Sequence, residues 1–278
     1  MTGSSRGAAS AGGLGSADLV RLAAAAEAAA RLGGRVVAEH FGGLAAGVVS
    51  KAPGDYVSEV DLRSEETIRE ALERDAPGIV FFGEEGGGAR GELGWVVDPL
   101  DGTANFLHGF PVVGVSVALV EAGRPVAGAV HAPLLGETYT AVRGGGAFRD
   151  GKPIRVADRP VGSAIGTTGF PFKIKHRLDD YRRVFDGAFL ALEDLRRAGA
   201  ASLDLAWTAA GVFDGFFELG LGAWDVAAGA LLLTEAGGVV TDWAGDDRAW
   251  LASGDILAAP APVHRVLLDL ARGTTSGP

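Results

Sequence analysis

Between residues 18 and 41 apolar side chains recur at helical spacing, with Leu19, Leu22, Ala26, Ala29 and Val36 near one face. Ser16 or Asp18 stands where an N-cap is needed. Gly33-Gly34 weakens the middle of this helix, since each glycine costs about 1 kcal/mol relative to alanine there. Residues 42–55 read as a mobile loop carrying Lys51. A second helix begins near Ser58. Ser58 and Asp61 have capping-box spacing, and Ile68, Ala71 and Leu72 supply the apolar face. Pro77-Gly78 ends it.

Short apolar runs then replace the helical period. Residues 79–82 and 95–97 each feed an acidic loop, and 112–120, 126–130, 137–142 and 154–156 follow between glycine turn signals. Their even spacing predicts an antiparallel sheet. The last third alternates: helices over 178–192 and 202–210, a strand over 213–217, and a helix over 224–236 that is apolar on nearly every side. Strands over 239–241 and 256–259 and a helix over 263–271 complete it. Helices, a run of strands and then alternating elements predict a layered α/β sandwich.

Composition narrows the function classes. The 278 residues are 47% hydrophobic, enough for one large core or two lobes. A single domain is expected over 17–272, with tightly packed lobes near 17–157 and 158–272. Residues 1–16, rich in Gly, Ser and Ala, read as a disordered leader, and 273–278 as a frayed tail. No apolar run is long enough to span a membrane, so the cytoplasm is the expected location. The net charge of -10 argues against a nucleic-acid surface. It still permits a phosphorylated substrate if metal ions reverse the local sign. With no cysteine, carboxylates, carbonyls and water are the expected metal ligands, which suits Mg²⁺, with Mn²⁺ as a substitute. The five histidines do not cluster and read as structural or surface residues.

Three acidic stretches carry candidate chemistry. In Asp98-Pro99-Leu100-Asp101-Gly102-Thr103, Pro99 biases Asp98 toward extended backbone at a strand end, and two carboxylates three apart can converge on a cation. The Leu100 carbonyl lies between them, and the Gly102 and Thr103 N–H groups can cradle a phosphate. Taken alone, such a stretch is more often an ordinary surface turn. Glu84-Glu85 follow another strand end, where adjacent acids repel unless a cation is near, and a solvated loop is the competing reading. Asp225 precedes an apolar run in which an unpaired charge is costly; an N-cap role accounts for it as well. Asp61, in the first turn of its helix, reads locally as structural.

Taken in order, these stretches resemble the inositol monophosphatase family. The resemblance is carried by Lys51, Gly54-Asp55-Tyr56-Val57-Ser58 and Asp61, then Gly83-Glu84-Glu85, then residues 98–106 (Asp-Pro-Leu-Asp-Gly-Thr-Ala-Asn-Phe), then Trp224-Asp225-Val226-Ala227-Ala228-Gly229. It spans nearly the whole chain, from Asp18 to Arg272, and implies an αβαβα arrangement and a Mg²⁺-dependent, lithium-sensitive phosphatase. One ion would be held by Glu84, Asp98 and the Leu100 carbonyl, a second by Asp98, Asp101 and Asp225. Asp61 and Thr103 would orient and help deprotonate the attacking water. Glu85 would support that water or a weaker third ion. Gly102 and Thr103, Gly199-Ala200-Ala201 and Glu218 would contact the substrate.

Two departures bear on specificity. Ala200 stands where the family usually has Ser or Thr, and Gly222-Ala223 lacks a cation often found there, which argues against a second-phosphate site. Inositol 1-phosphate is the expected substrate among small polyol or sugar phosphates. Histidinol phosphate, fructose 1,6-bisphosphate and nucleotide 3′-phosphates are the alternatives. Some members act as binding partners in RNA-processing assemblies, and a purely structural cation site is a third possibility. The resemblance also implies a homodimer.

Overall fold

The computed structural model describes residues 14–42, 49–52, 55–88 and 91–274, without the side chains of 49–56. Among the described residues the α-helices are α1 (Ser16–His40), α2 (Glu59–Asp75), α3 (Thr103–Leu107), α4 (Leu178–Ala191), α5 (Ala201–Ala209), α6 (Ala223–Glu235), α7 (Trp250–Ser253) and α8 (Ala261–Arg272). They lie around two principal sheets. Pairing within the larger one runs Lys152–Pro153, Gly146–Arg149, Glu137–Val142, Arg124–Ala132, Gly114–Glu121, Leu93–Asp101, Val80–Gly83 and Gly87–Gly88. The smaller runs Asp194–Arg196, Ile165–Thr168, Gly215–Glu218, Ile256–Ala259 and Val239–Thr241.

Helices α1 and α2 cover one face of the large sheet, and α6 covers the other. Helix α5 packs on α6 and reaches the small sheet, whose far side carries α8 with α4 against it. The layers are therefore αβαβα, a sandwich of mixed sheets and helices. The all-round apolar character of α6 has a direct cause, because that helix is enclosed between a sheet and a second helix layer. Val226, Ala227, Ala228, Leu232 and Leu233 are all fully buried.

Several sequence expectations change. The expected antiparallel sheet is mixed, since Val80–Gly83 runs parallel to Leu93–Asp101. Residues 154–156 form no strand; the edge is the two-residue piece Lys152–Pro153. Asp98 does not end its strand. The strand continues to Asp101 through a register shift between those two residues, which spares Pro99 a ladder donor. Helix α1 is entered from Gly15 without a side-chain cap, so neither Ser16 nor Asp18 caps it. Short elements such as α3, Ile165–Thr168 and Asp194–Arg196 carry too few residues for a visible period. The expected loop over 42–55 includes the paired strands Val49–Ala52 and Asp55–Val57, while the Lys51 side chain lies outside the described residues. Of the expected leader and tail, 1–13 and 275–278 also lie outside them.

Gly33-Gly34 does not interrupt α1. A Cβ on Gly33 would come within 2.7 Å of Ile68 Cδ1 on α2, and one on Gly34 would run into the His131 ring. The pair sacrifices helix propensity for close approach to α2 and to the sheet.

Candidate metal and phosphate site

Helix α2 is the platform of the site. Ser58 caps it, and the Asp61 carboxylate closes the capping box by accepting the Ser58 N–H at 2.9 Å and its hydroxyl at 2.5 Å. The other Asp61 oxygen accepts the Thr103 hydroxyl at 3.0 Å. Asp61 is thus both the structural first-turn acid and a partner of Thr103. One turn on, the Ser64 hydroxyl donates to the Pro99 carbonyl at 2.8 Å, fixing the register shift that separates Asp98 from Asp101. Glu65 accepts the N–H groups of Glu85 and Gly86.

Asp98 and Asp101 from one strand and Asp225 from α6 converge, each offering an oxygen within 4.8 Å of the others. Each also has one oxygen held by the protein. Asp98 Oδ1 accepts the Leu100 N–H at 3.0 Å, and Asp101 Oδ2 accepts the Ser202 N–H at 2.7 Å and hydroxyl at 2.5 Å. Asp225 Oδ2 accepts the Gly222 N–H at 2.5 Å. Asp225 is therefore the third residue of α6, with Gly222 at the cap, rather than the N-cap itself.

Burial and mutual repulsion strain this group. Asp98 is pushed well above the usual carboxylate range by burial and by the charges of Glu84, Asp101 and Asp225. Asp101 is raised to about 7 by burial and then by Asp225. Clustered carboxylates that resist ionisation are relieved by a hard cation, which accepts their oxygens and restores the charged form. The donor set fits divalent metal.

The cavity over these acids is lined by Glu84, Asp98, Leu100, Asp101, Gly102, Thr103 and Asp225. Gly169 to Lys173, Arg197, Gly199, Ala201 and Glu218 line it too. Gly102 turns the chain at φ 91° into α3. Glu218 is the last residue of a central strand of the small sheet, not of an edge. Burial and then Asp204 hold its proton well above the usual range, while Arg197 acts in the opposite direction.

Three expected residues stand back from the cavity lining. Asp61 lies behind Thr103, and Glu85 follows Glu84 into the turn held by Glu65. Ala200 is buried under Gly102. Sequence reasoning missed Ser64, Glu65, Ser202 and Lys173. The signal for the α2 pair was present: Ser64 and Glu65 are polar on the buried side that Ile68 and Leu72 continue. Lys173 and Arg197 also place cations on the cavity wall that Gly222-Ala223 does not supply.

The family pattern described as "Inositol monophosphatase family" matches residues 18–274. The chain belongs to the inositol monophosphatase family. It is 43% identical over 246 residues to a protein named inositol-1-monophosphatase from Mesorhizobium japonicum, covering 86% of this chain and 92% of that one. It is likewise 43% identical over 247 residues to a putative Nus factor SuhB from Neisseria meningitidis serogroup B, covering 87% and 94%. In structure it is similar to the extragenic suppressor protein suhB from Bartonella henselae, with TM-score 0.86 and 35% identity, covering 92% and 100%. Membership accounts for the acidic cage and for the αβαβα layering together. Among the described residues no helix is long and apolar enough to cross a membrane.

Proposed function

We propose that this chain is a Mg²⁺-dependent phosphomonoesterase that releases phosphate from inositol 1-phosphate or a closely similar polyol phosphate. The observation that carries the reading is the convergence of Asp98, Asp101 and Asp225 within 4.8 Å, in one cavity with Glu84 and Glu218. Glu84, Asp98 and the Leu100 carbonyl would hold one ion, and Asp98, Asp101 and Asp225 a second, with Mn²⁺ as a substitute. Bound there, the ions supply Lewis-acid stabilisation of phosphate oxygens and lower the pKa of water.

The chain's own residues do the rest. Asp61 Oδ1 accepts a hydrogen bond from the Thr103 hydroxyl, which leaves the Thr103 oxygen lone pairs to accept from an attacking water. Burial raises the Asp61 pKa, making that carboxylate a better base for the relay. Glu85 supports that water or a weaker third ion. The Gly102 and Thr103 N–H groups at the start of α3 receive the phosphate. Glu218, with the Gly199–Ala201 turn, faces the alcohol side, where a carboxylate accepts from adjacent hydroxyls. Phosphoryl transfer to water needs positioning and charge neutralisation more than covalent help.

The test is a panel of inositol 1-phosphate, histidinol phosphate, fructose 1,6-bisphosphate and a nucleotide 3′-phosphate, assayed with Mg²⁺. Inositol 1-phosphate should be turned over fastest, and Asp98→Asn should lose that activity. Rates on every ester equal to those of Asp98→Asn would remove the enzyme reading. A second role, as an assembly factor in the cytoplasm, has one observation in its favour. Phe170, Phe172, Phe189 and Leu190 are exposed, and the last is 84% accessible. A homodimer is expected from the resemblance, and light scattering distinguishes it from a monomer.

A further inference from the structure

Glu65 lies one turn beyond Asp61 on α2 and has no part in the chemistry above. Its side chain is only 5% exposed. Oε2 accepts the Glu85 N–H at 2.9 Å. Oε1 accepts the Gly86 N–H and Arg69 Nη2, each at 2.9 Å. A Cβ on Gly83 would collide with the same carboxylate, and one on Gly86 would lie 2.5 Å from Oε1. The turn from Gly83 to Gly86 is therefore wrapped around Glu65, with Glu84 at its middle. The Glu84 N–H donates in turn to the Val97 carbonyl at 3.1 Å, next to Asp98 in the neighbouring strand. Glu84 is held on both sides by backbone.

A buried carboxylate is costly unless its oxygens are satisfied, and here two backbone N–H groups and a guanidinium satisfy them. Glutamine cannot replace it. Each side-chain oxygen faces a backbone N–H, and the glutamine NH₂ would point a donor at one of them. We infer that Glu65 is a positioning residue that sets where Glu84 stands toward Asp98 and so tunes the affinity of the cage for divalent metal. The inference rests on the reading of Glu84 as a metal ligand. Groups that orient a ligand without touching the metal typically change affinity by about 10- to 100-fold when removed.

The experiment is a double-mutant cycle on the full chain. Mn²⁺ binding is read by electron paramagnetic resonance and Mg²⁺ binding by calorimetry, for the wild type, Glu65→Gln, Glu84→Gln and the double variant. Glu65→Gln should weaken metal binding about 10- to 100-fold. It should raise the Mg²⁺ concentration needed for half-maximal activity, with kcat at saturating metal near that of the wild type. Added to Glu84→Gln, it should change binding no further. Wild-type affinity in Glu65→Gln overturns the inference, as does an equal loss in both backgrounds, which would place its effect elsewhere than on Glu84. If Glu84→Gln alone binds metal normally, the ligand reading falls and takes the inference with it. Glu65→Asp keeps the charge one methylene short of both N–H groups and should show an intermediate loss. It replaces Glu65→Gln in the cycle if that variant does not fold.

Discussion

Asp61 serves two partners with its two oxygens. One is committed to the Ser58 N–H and hydroxyl, the other to the Thr103 hydroxyl. Burial raises its pKa, and the hydrogen bonds from Ser58 and Thr103 partly offset this. Thr103→Ala removes the hydrogen bond on which the proposed relay rests but no cap, so kcat should fall about 10²-fold or more with the unfolding midpoint near that of the wild type. Equal kcat in the two proteins would show that Thr103 does not handle the water. Ser58→Ala should cost about 0.5–2 kcal/mol of stability, read by denaturant unfolding. It also deletes a hydrogen bond that lowers the Asp61 pKa, so the acidic limb of the kcat/KM profile should move to higher pH. Several partners of these residues were hidden from sequence reading because they meet across distance. Glu65 and Glu85 are 20 positions apart, Ser64 and Pro99 are 35, and Asp101 and Ser202 are 101. Motif order finds ligands close to glycine and proline turns, and it does not find what holds those ligands from another element.

Helix α1 separates two physical accounts of one glycine pair. Propensity alone has Gly34→Ala stabilising by about 1 kcal/mol. Packing has the added methyl running into His131, whose ring is buried and fixed by Nδ1 contacts of 2.8 Å with Thr138 Oγ1 and 3.0 Å with the Glu137 carbonyl. That ring has little freedom to move away, so Gly34→Ala should destabilise by about 1–3 kcal/mol in chemical denaturation. A stabilised variant would show that α1 can shift off the sheet at no cost. Elements with a clean apolar period between turn signals were legible: α2, α4 and Glu137–Val142 fall within a residue of the pattern-based bounds, whereas the strand Leu93–Asp101 reads only over 95–97 because its end is acidic. The mixed topology was not legible. Val80–Gly83 and Leu93–Asp101 are separated by a short connection that reads as a hairpin, yet they run parallel, because Gly87–Gly88 takes the antiparallel place on the outer edge.

On the scale of the molecule, the five layers bring acids from both sheets and from the helices between them to one cavity. Asp98 and Asp101 come from the large sheet, Asp225 from α6 and Glu218 from the small sheet, with Asp204 of α5 buried beside them and bonded to Thr167. Several are buried deeply enough to resist ionisation. Asp101 is raised to about 7 and Asp204 to about 8, in both cases chiefly by burial. Their unfolded-state values lie near about 3.9, so the folded protein binds more protons than the unfolded chain over the interval between. Stability from these groups is complete below about pH 4 and is lost as pH rises through about 7 to 8. The metal-free protein should accordingly melt at lower temperature at pH 8.5 than at pH 5.5, and Asp101→Asn should flatten the slope. On the proposed reading, Mg²⁺ would bind the ionised cage and reverse the penalty. At about 100 times its Kd the ion adds about 2.7 kcal/mol, or roughly 5–10 °C for a chain of this size. That gain should be larger at pH 8.5 than at pH 5.5, where protons compete for the same oxygens. Differential scanning calorimetry at both pH values, with chelator and with Mg²⁺, measures all four melting temperatures. A metal-induced shift equal at the two pH values would mean that these carboxylates are not where the ion binds.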